Sequence, residues 1–172
     1  MNKKTRIMHS KPLGLLLLLF PIALQAQEEL PVGPDSSGIY RIVDEMPRFP
    51  GCESSDMTLE EKQECSSQKL LLFLYTQIRY PAIARENGIE GTVLIRFVVE
   101  PDGFLSNIEI AREIGGGCGA EAQRVITSMN AMKERWIPGR QKGEAVRVLY
   151  LVPIKYKLEG KGKVKKKKKG RG

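Results

Sequence analysis

Apolar and polar positions alternate in three stretches, and this alternation predicts three β-strands. In "TVLIRFVVE", which begins at Thr92, every second side chain is apolar, and "PDG" then supplies a turn. "FLSNIEIAREI" predicts a weaker second strand with Ile108 and Ile110 facing the core. "VRVLYLVPIKYKL" alternates throughout and predicts the third strand, whose core-facing residues are Val146, Val148, Tyr150, Val152, Ile154, Tyr156 and Leu158.

Helical spacing predicts the remaining elements. Thr58 and Glu61 form a capping-box pattern that opens a first helix. Pro81 ends that helix and starts a short second one, which Gly88 closes. The first helix carries one apolar face, made of Leu70, Leu71, Leu74, Tyr75 and Ile78. A third helix follows "GGGCG" with a stripe of Ala122, Val125, Ile126, Met129, Met132 and Trp136, and "IPGRQKGE" is a polar loop.

The order of the predicted elements is helix, strand, strand, helix, strand. A hairpin followed by a right-handed crossover places the third strand beside the first. We therefore expect an α+β fold in which a small three-stranded antiparallel sheet, in the order 2-1-3, has helices on one face. The third strand is an edge, because Pro153 lacks an N–H and suits an edge position. The alternative is that Pro153 only ends regular pairing.

Composition divides the chain into four parts. Residues 1–26 have the basic front end, apolar run and "LQA" ending of a signal peptide. The alternative is a retained membrane anchor, although the apolar run is short for a span. Residues 27–57 are rich in proline and predict an extended linker, in which "GIYRIVDEMPRFPG" is expected to add one short strand or docking segment. Residues 58–158 form the domain with its upstream helix, and residues 159–172 form a disordered, lysine-rich tail.

The net charge of +8 lies outside the predicted domain. Residues 12–158 hold 16 basic and 19 acidic side chains, a net charge of −3. The tail is expected to be solvated; contact with anionic lipid or nucleic acid is the alternative. Because the chain is predicted to be exported, nucleic acid is excluded as a partner.

Cysteine and histidine usage argues against an enzyme. In an exported protein three cysteines favour one disulfide, and Cys52 and Cys65 are the expected pair, with Cys118 left over in the glycine run. His9 is the lone histidine and lies in the predicted signal peptide, so general-base and metal chemistry lose their usual side chain. We expect no catalytic residue, no metal, no cofactor and no small-molecule substrate. A thiol-based redox protein built on Cys118 is the less favoured alternative.

The glycine run also contains a nucleotide-site pattern. "GGGCGA" matches Gly-x-Gly-x-x-Ala, but the strand before it belongs to a hairpin and not to a parallel βαβ unit. The sequence therefore favours a tight loop at this point.

Three stretches together resemble the TonB C-terminal domain family. They are "YPAIARENGIEGTVLIRFVVEPDG", the helix that ends in "RWIPGRQKGE", and "VRVLYLVPIKYKL". The resemblance covers Tyr80 to Leu158, and "MPRFPGC" upstream resembles a subtype with extra cysteines. It implies a periplasmic module that binds the TonB box of outer-membrane receptors, so that inner-membrane energy drives uptake. In the family the box adds beside the last strand, which here is Val146 to Ile154.

From this resemblance and the predicted edge we expect TonB-dependent outer-membrane receptors as partners. The expected partner-binding residues are Arg147, Val148, Leu149, Tyr150 and Leu151. The resemblance leaves open an inner-membrane energising complex as a second partner, and a homodimer. Family transducers have a membrane anchor and a long spacer, whereas this chain has a cleavable-looking leader and a short linker. A periplasmic adaptor or decoy that transduces no energy is therefore the alternative function, and an inner-membrane anchor facing the periplasm is the alternative location.

Overall fold

The structure is a computed structural model that describes residues 33–158. The predicted signal peptide and lysine-rich tail lie outside the described residues. The strands are β1 (Ile39–Tyr40), β2 (Gly91–Val99), β3 (Leu105–Arg112), β4 (Gly139–Gln141) and β5 (Glu144–Tyr156). The helices are α1 (Leu59–Gln77), α2 (Ala82–Glu86) and α3 (Cys118–Ser128), and a 3₁₀ turn at Met129–Ala131 follows α3.

The sheet is mixed and contains more strands than the sequence predicted. Its order is β1-β5-β2-β3, and β4 pairs with β5 off this path. The predicted 2-1-3 order is present as β3, β2 and β5, but the expectation of a three-stranded antiparallel sheet is wrong. β1 adds to β5 in parallel and has only two residues, too few to show an alternating pattern. β4 lies in the predicted polar loop, where Gly139 to Gln141 form a hairpin with the start of β5.

The core lies between one face of the sheet and the helices. β2 contributes four side chains that are completely buried: Val93, Ile95, Phe97 and Val99. β5 contributes alternate residues, and Trp136 stacks edge-on against Phe97 and Tyr150. The buried residues of β5 are Val148, Val152, Ile154 and Tyr156. The period-2 pattern therefore predicted the buried face of both long strands.

β3 departs from the predicted pattern. Its pairing with β2 shifts register twice, and Asn107 has a positive φ of 50°. Ile108 is half-buried against the core, whereas Ile110 is exposed, so the expectation that both face the core is wrong for Ile110. The irregular register explains the difference, because each shift changes which residues share a face.

Helix α1 begins at the predicted capping box. The Thr58 hydroxyl accepts a hydrogen bond from the Glu61 N–H, and the Glu61 carboxylate accepts one from the Thr58 N–H. Only half of its predicted apolar face is buried. Leu70 and Leu74 reach the core, whereas Leu71 and Tyr75 are exposed.

Residues 45–52, which we call the strap, lie in the predicted linker and pack against the domain. Their backbone forms bridges from Glu45 to Arg140 and from Arg48 to Ile137. The side chains of the strap and its neighbours complete the attachment: Phe49 is buried against Phe73 and Trp136, and Cys52 is joined to Cys65 by a disulfide. The strap therefore ties α1 to the sheet.

Candidate partner-binding edge

The two sides of strand β5 have different partners. On one side, β2 pairs with it in register from Gly91–Tyr156 to Val99–Val148. Pro153 lies opposite Leu94 in this ladder, and since it has no N–H, that pair cannot exchange hydrogen bonds. Backbone groups alternate sides along a strand, so the N–H and C=O groups of Arg147, Leu149 and Leu151 also point away from β2. We call this the outer side of β5.

The chain itself covers the beginning of the outer side. β1 pairs there in parallel, with Ile39 opposite Arg147 and Tyr40 opposite Val148. Among residues 33–158, no strand pairs with the outer side from Leu149 to Tyr156. We call this stretch the open edge. The predicted edge is therefore present, but it begins at Leu149, two residues later than expected.

Arg147 holds β1 in place. Its guanidinium donates to the carbonyl of Ser37 at 2.8 Å and to the Glu100 carboxylate at 2.9 and 3.0 Å. The hydrogen bonds from Arg147 hold the pKa of Glu100 below its usual value, against the opposing effect of burial. The side chain expected to meet a partner is thus already engaged by the chain's own segment.

Backbone N–H groups of Ser37 and Ile39 donate to the carboxylate of Asp35, just before β1. These hydrogen bonds, first the one from Ile39, lower the pKa of Asp35. Two carboxylates therefore organise the segment that leads into β1. Asp35 accepts hydrogen bonds from its backbone, and Glu100 binds Arg147, which donates to the Ser37 carbonyl.

A groove runs between the open edge and helix α1. It consists of two hollows of about 300 and 210 Å³ that share Leu71, Leu74 and Pro153. The remaining lining residues are Ser67, Leu70, Tyr75, Ile78, Tyr80, Tyr150, Leu151, Val152, Ile154, Lys155, Tyr156 and Lys157. The groove follows the open edge from Tyr150 to Tyr156.

Both walls of the groove expose large apolar side chains. Tyr75 is 67% exposed and Leu71 51% on the α1 wall, and Leu151 is 53% exposed on the β5 wall. Isolated exposed apolar residues are ordinary, but a contiguous strip beside an unpaired strand is typical of an interaction surface.

The sequence-predicted site residues have different environments. Val148 is completely buried, and Tyr150 stacks on Phe97 beneath the sheet, where burial raises the pKa of its hydroxyl. Leu149 is half-buried and Leu151 is exposed at the open edge. The sequence analysis missed the α1 wall. The sequence did contain a signal for this wall. Leu71 and Tyr75 belong to the predicted apolar stripe of α1, and that stripe is wider than the buried face of a helix needs to be.

The glycine run does not offer a free anion site. The Glu113 carboxylate accepts hydrogen bonds from the N–H groups of Ile114, Gly115 and Gly119 at 2.8 to 3.0 Å. Burial opposes its ionisation, but these three donors hold the pKa of Glu113 below its usual value. The loop that the sequence identified as a tight turn is thus filled by a carboxylate of the chain.

Cys118 and the acidic side chains form no reactive centre in the described part of the chain. Cys118 is completely buried, and burial raises the pKa of its thiol. Across residues 33–158, no group of three or more histidine, cysteine or acidic side chains could hold a metal ion. In the same range, no helix is both long enough and apolar enough to span a bilayer.

Comparison with known proteins identifies the second half of the chain. Residues 76–158 match the family model described as Gram-negative bacterial TonB protein C-terminal. Two NMR structures of the Helicobacter pylori TonB C-terminal domain are similar to the chain. One shares 25% identity, with a TM-score of 0.41, and the match covers 55% of this chain and 95% of the other. The second shares 22% identity, with a TM-score of 0.43 and coverages of 62% and 88%. No curated protein matches the chain.

Proposed function

Residues 76–158 form a domain of the TonB C-terminal family, and on that premise we propose that this protein binds TonB-dependent outer-membrane receptors from the periplasm. The receptor segment adds to the sheet as one more strand. The observation that carries this proposal is the open edge, which no strand among residues 33–158 covers from Leu149 to Tyr156. Unpaired strand edges bind extended peptides through main-chain hydrogen bonds, and alternate side chains supply specificity.

The pairing positions follow from the register of β5. The Leu149 N–H faces the Tyr40 carbonyl, because Tyr40 lies opposite Val148 in the parallel ladder. The added strand therefore pairs with the Leu149 C=O and with both polar groups of Leu151, which point outward. At Pro153 the ladder loses one donor, because proline can only accept. Of the partner-binding residues proposed from the sequence, Arg147 becomes available only when β1 is displaced, whereas Val148 directs its backbone to β2 and its side chain into the core.

The chain's own β1 supports the proposal. It is an extended segment that pairs with the outer side of β5 immediately before the open edge. A receptor segment would occupy the next positions along the same strand. No rearrangement of the core is needed, because the buried residues of β5 face the helices and not the outer side.

Substitution of a single outward N–H tests the proposal. We expect Leu151→Pro to retain the thermal stability of the wild-type protein and to weaken binding of labelled receptor-segment peptides about tenfold, the size of one main-chain hydrogen bond. Leu151→Ala is the matched control, because it shortens the same side chain and keeps the N–H. Normal peptide binding by a folded Leu151→Pro protein would refute strand addition at this edge.

Energy transduction depends on the N-terminal segment, which lies outside the described residues. We propose the signal-peptide assignment, with cleavage after Ala26, and this favours a periplasmic adaptor as the second candidate function. Mass spectrometry of the native protein separates the two. A chain that begins at Gln27 supports the adaptor, whereas an uncleaved N-terminus supports an anchored energy transducer.

A further inference from the structure

The apolar side chains on the outer half of α1 have no role in the core. Leu70 and Leu74 are buried in the hydrophobic core and Phe73 packs against it, while Leu71 and Tyr75 line the groove. The family match begins at residue 76, so nearly all of α1 lies upstream of it. The helix therefore adds a wall that the matched domain does not include.

An added strand would place its side chains alternately on two surfaces. Side chains on the helix-covered face would meet Leu71, Tyr75 and Ile78, since these line the groove beside the open edge. Side chains on the opposite face would lie next to Leu151 and Lys155, which share the solvent-facing side of β5. Directly opposed side chains in a sheet interact. The two faces therefore select different chemistry.

The charges of the groove are all of one sign. Lys155 and Lys157 line it, and its lining includes no aspartate or glutamate. Neither lysine forms an ion pair with a described residue. The positive charge lies at the far end of the open edge, beyond Pro153, in a body whose net charge is −3 over residues 12–158. A carboxylate on the partner would complement it.

We propose that α1 is a second recognition wall and that the partner is an extended peptide with two features. Its helix-side residues, at every second position, are large and apolar, and a carboxylate lies on the opposite face next to Lys155 and Lys157. This inference rests on the proposed strand addition and names the chemistry of the partner.

Contacts at the middle and the end of α1 hold the wall in position before a partner binds. Near the middle, the Ser66 hydroxyl accepts a hydrogen bond from the Phe49 N–H at 2.6 Å, and the disulfide joins Cys65 to the strap. At its end, the Arg124 guanidinium donates to the Gln77 carbonyl at 3.2 Å. A preorganised wall loses little conformational entropy on binding, which favours affinity.

The apolar wall is tested with a fluorescent peptide that carries valine at alternate positions, threonine between them and glutamate near one end. A second probe carries the glutamate near the other end, so that either strand direction is sampled. We expect Tyr75→Ala to weaken binding of the better probe about tenfold, the loss typical of a truncated interface anchor. Leu72→Ala is the matched control, because Leu72 is exposed on the same helix and does not line the groove.

Reversal of the charge at Lys155 tests the positively charged end of the groove. We expect Lys155→Glu to weaken binding of the glutamate probe and to strengthen binding of the same peptide with lysine in place of glutamate. Lys133→Glu is the control, since it makes the same charge change at an exposed site outside the groove. A parallel loss for both probes would contradict the charge assignment.

The outcomes separate this inference from the proposed function. If Leu151→Pro weakens binding about tenfold while Tyr75→Ala and Lys155→Glu bind both probes like the wild type, strand addition stands and the recognition wall is wrong. If Leu151→Pro also binds normally, strand addition fails. If Tyr75→Ala and Leu72→Ala weaken binding equally, the effect belongs to the helix in general and the wall is again wrong.

Discussion

The two outer strands of the antiparallel core, β3 and β5, each have a side that faces away from β2, and the two sides are protected very differently. On β3, the Asn130 side chain accepts from the N–H of Leu105 and donates to its C=O, both at 2.8 Å. The Gln123 amide donates to the Ile108 carbonyl at 2.8 Å, and two register shifts make the strand irregular. On β5, the open edge is long and regular. Pro153 lacks a hydrogen-bond donor there, and the lysines place positive charge at its far end.

This difference shows which side of the sheet is available for a partner. Side chains that satisfy outward backbone groups, together with bulges, block the addition of another strand. β3 has both features. β5 has a groove with apolar walls instead, and a strand that pairs there finds free backbone groups and side-chain contacts together. One side is closed, and the other is the side at which we propose that a partner binds.

The largest expected effect on stability comes from proline at Val148, compared with proline at its neighbour Leu149, because the two N–H groups point to opposite sides of β5. Val148→Pro removes an N–H that points to β2 and places a proline ring at a completely buried position of a paired strand, so we expect a loss of about 3 kcal/mol in the free energy of unfolding. Leu149→Pro should cost less, because that N–H points away from β2 and pairs only with the short strand β1. Thermal melts followed by circular dichroism compare the two. Equal destabilisation would mean that the outer side of β5 is wrongly assigned.

The disulfide should matter for the open edge and not for β3. Cys52 and Cys65 are 13 residues apart, and a cross-link of this length contributes about 3 kcal/mol in the chain-entropy model. We expect Cys52→Ser/Cys65→Ser to lower the melting temperature and to weaken peptide binding, because the strap positions α1. Reductant should reproduce this loss in the wild type and leave the double variant unchanged. Alkylation and peptide mapping without reduction should find Cys118 as the free thiol.

Removal of the side-chain contacts that cover the outer side of β3 should lower the free energy of unfolding less than the changes above. It should also promote self-association. Asn130→Ala leaves both backbone groups of Leu105 without their partner, and we expect a loss of about 2 kcal/mol in the free energy of unfolding. Asn130→Asp retains the acceptor and should lose less. Light scattering should detect self-association of Asn130→Ala that the wild type lacks. If the variant stays monomeric, the side-chain contacts stabilise the strand but do not protect it.

The smallest expected effect is that acid pH lengthens the open edge, because β1 detaches from β5. The folded-state pKa values of Glu100 and Asp35 are both lowered, by hydrogen bonds from Arg147 and from the backbone before β1 respectively. Groups with lowered pKa values stabilise the fold above their unfolded pKa, and this contribution is lost as the pH falls through the folded value. We therefore expect β1 to detach in acid before the sheet unfolds, and hydrogen exchange at Arg147 should report it. Glu100→Gln should weaken this dependence, leaving the part that Asp35 provides.

The sequence predicted the elements whose pattern is long and regular. Thr58 and Glu61 marked the start of α1, and alternation marked the buried faces of β2 and β5. It indicated a short strand or docking segment within "GIYRIVDEMPRFPG", where β1 lies, but not its pairing with β5, because two residues carry no periodicity and the contacts of Asp35, Glu100 and Arg147 fix that pairing. β4 was missed for a related reason, since three mostly polar residues resemble a loop until the partner strand is placed.

The candidate site was predicted in part, for a physical reason. Pro153 indicated which backbone groups of β5 point outward, and the register agrees with that direction. The apolar stripe of α1 was recognised, but a stripe does not say which of its members a neighbouring element covers. Leu70 and Leu74 are buried and Tyr75 is not, and only the position of the strap and the sheet decides this.

The cross-link between Cys52 and Cys65 also defines how tension would travel through the chain. When the polypeptide is pulled from its N-terminal side, load that reaches Cys52 passes through the sulfur bridge to Cys65 and bypasses the residues between them. An extended chain gains about 3.5 Å per residue, so the bridge keeps about 40 Å of contour length out of the force path. The capping box at Thr58 and Glu61 lies inside this bypassed loop and carries no load. Tension therefore enters α1 at Cys65, within about two and a half turns of the two leucines, Leu70 and Leu74, that anchor the helix in the core.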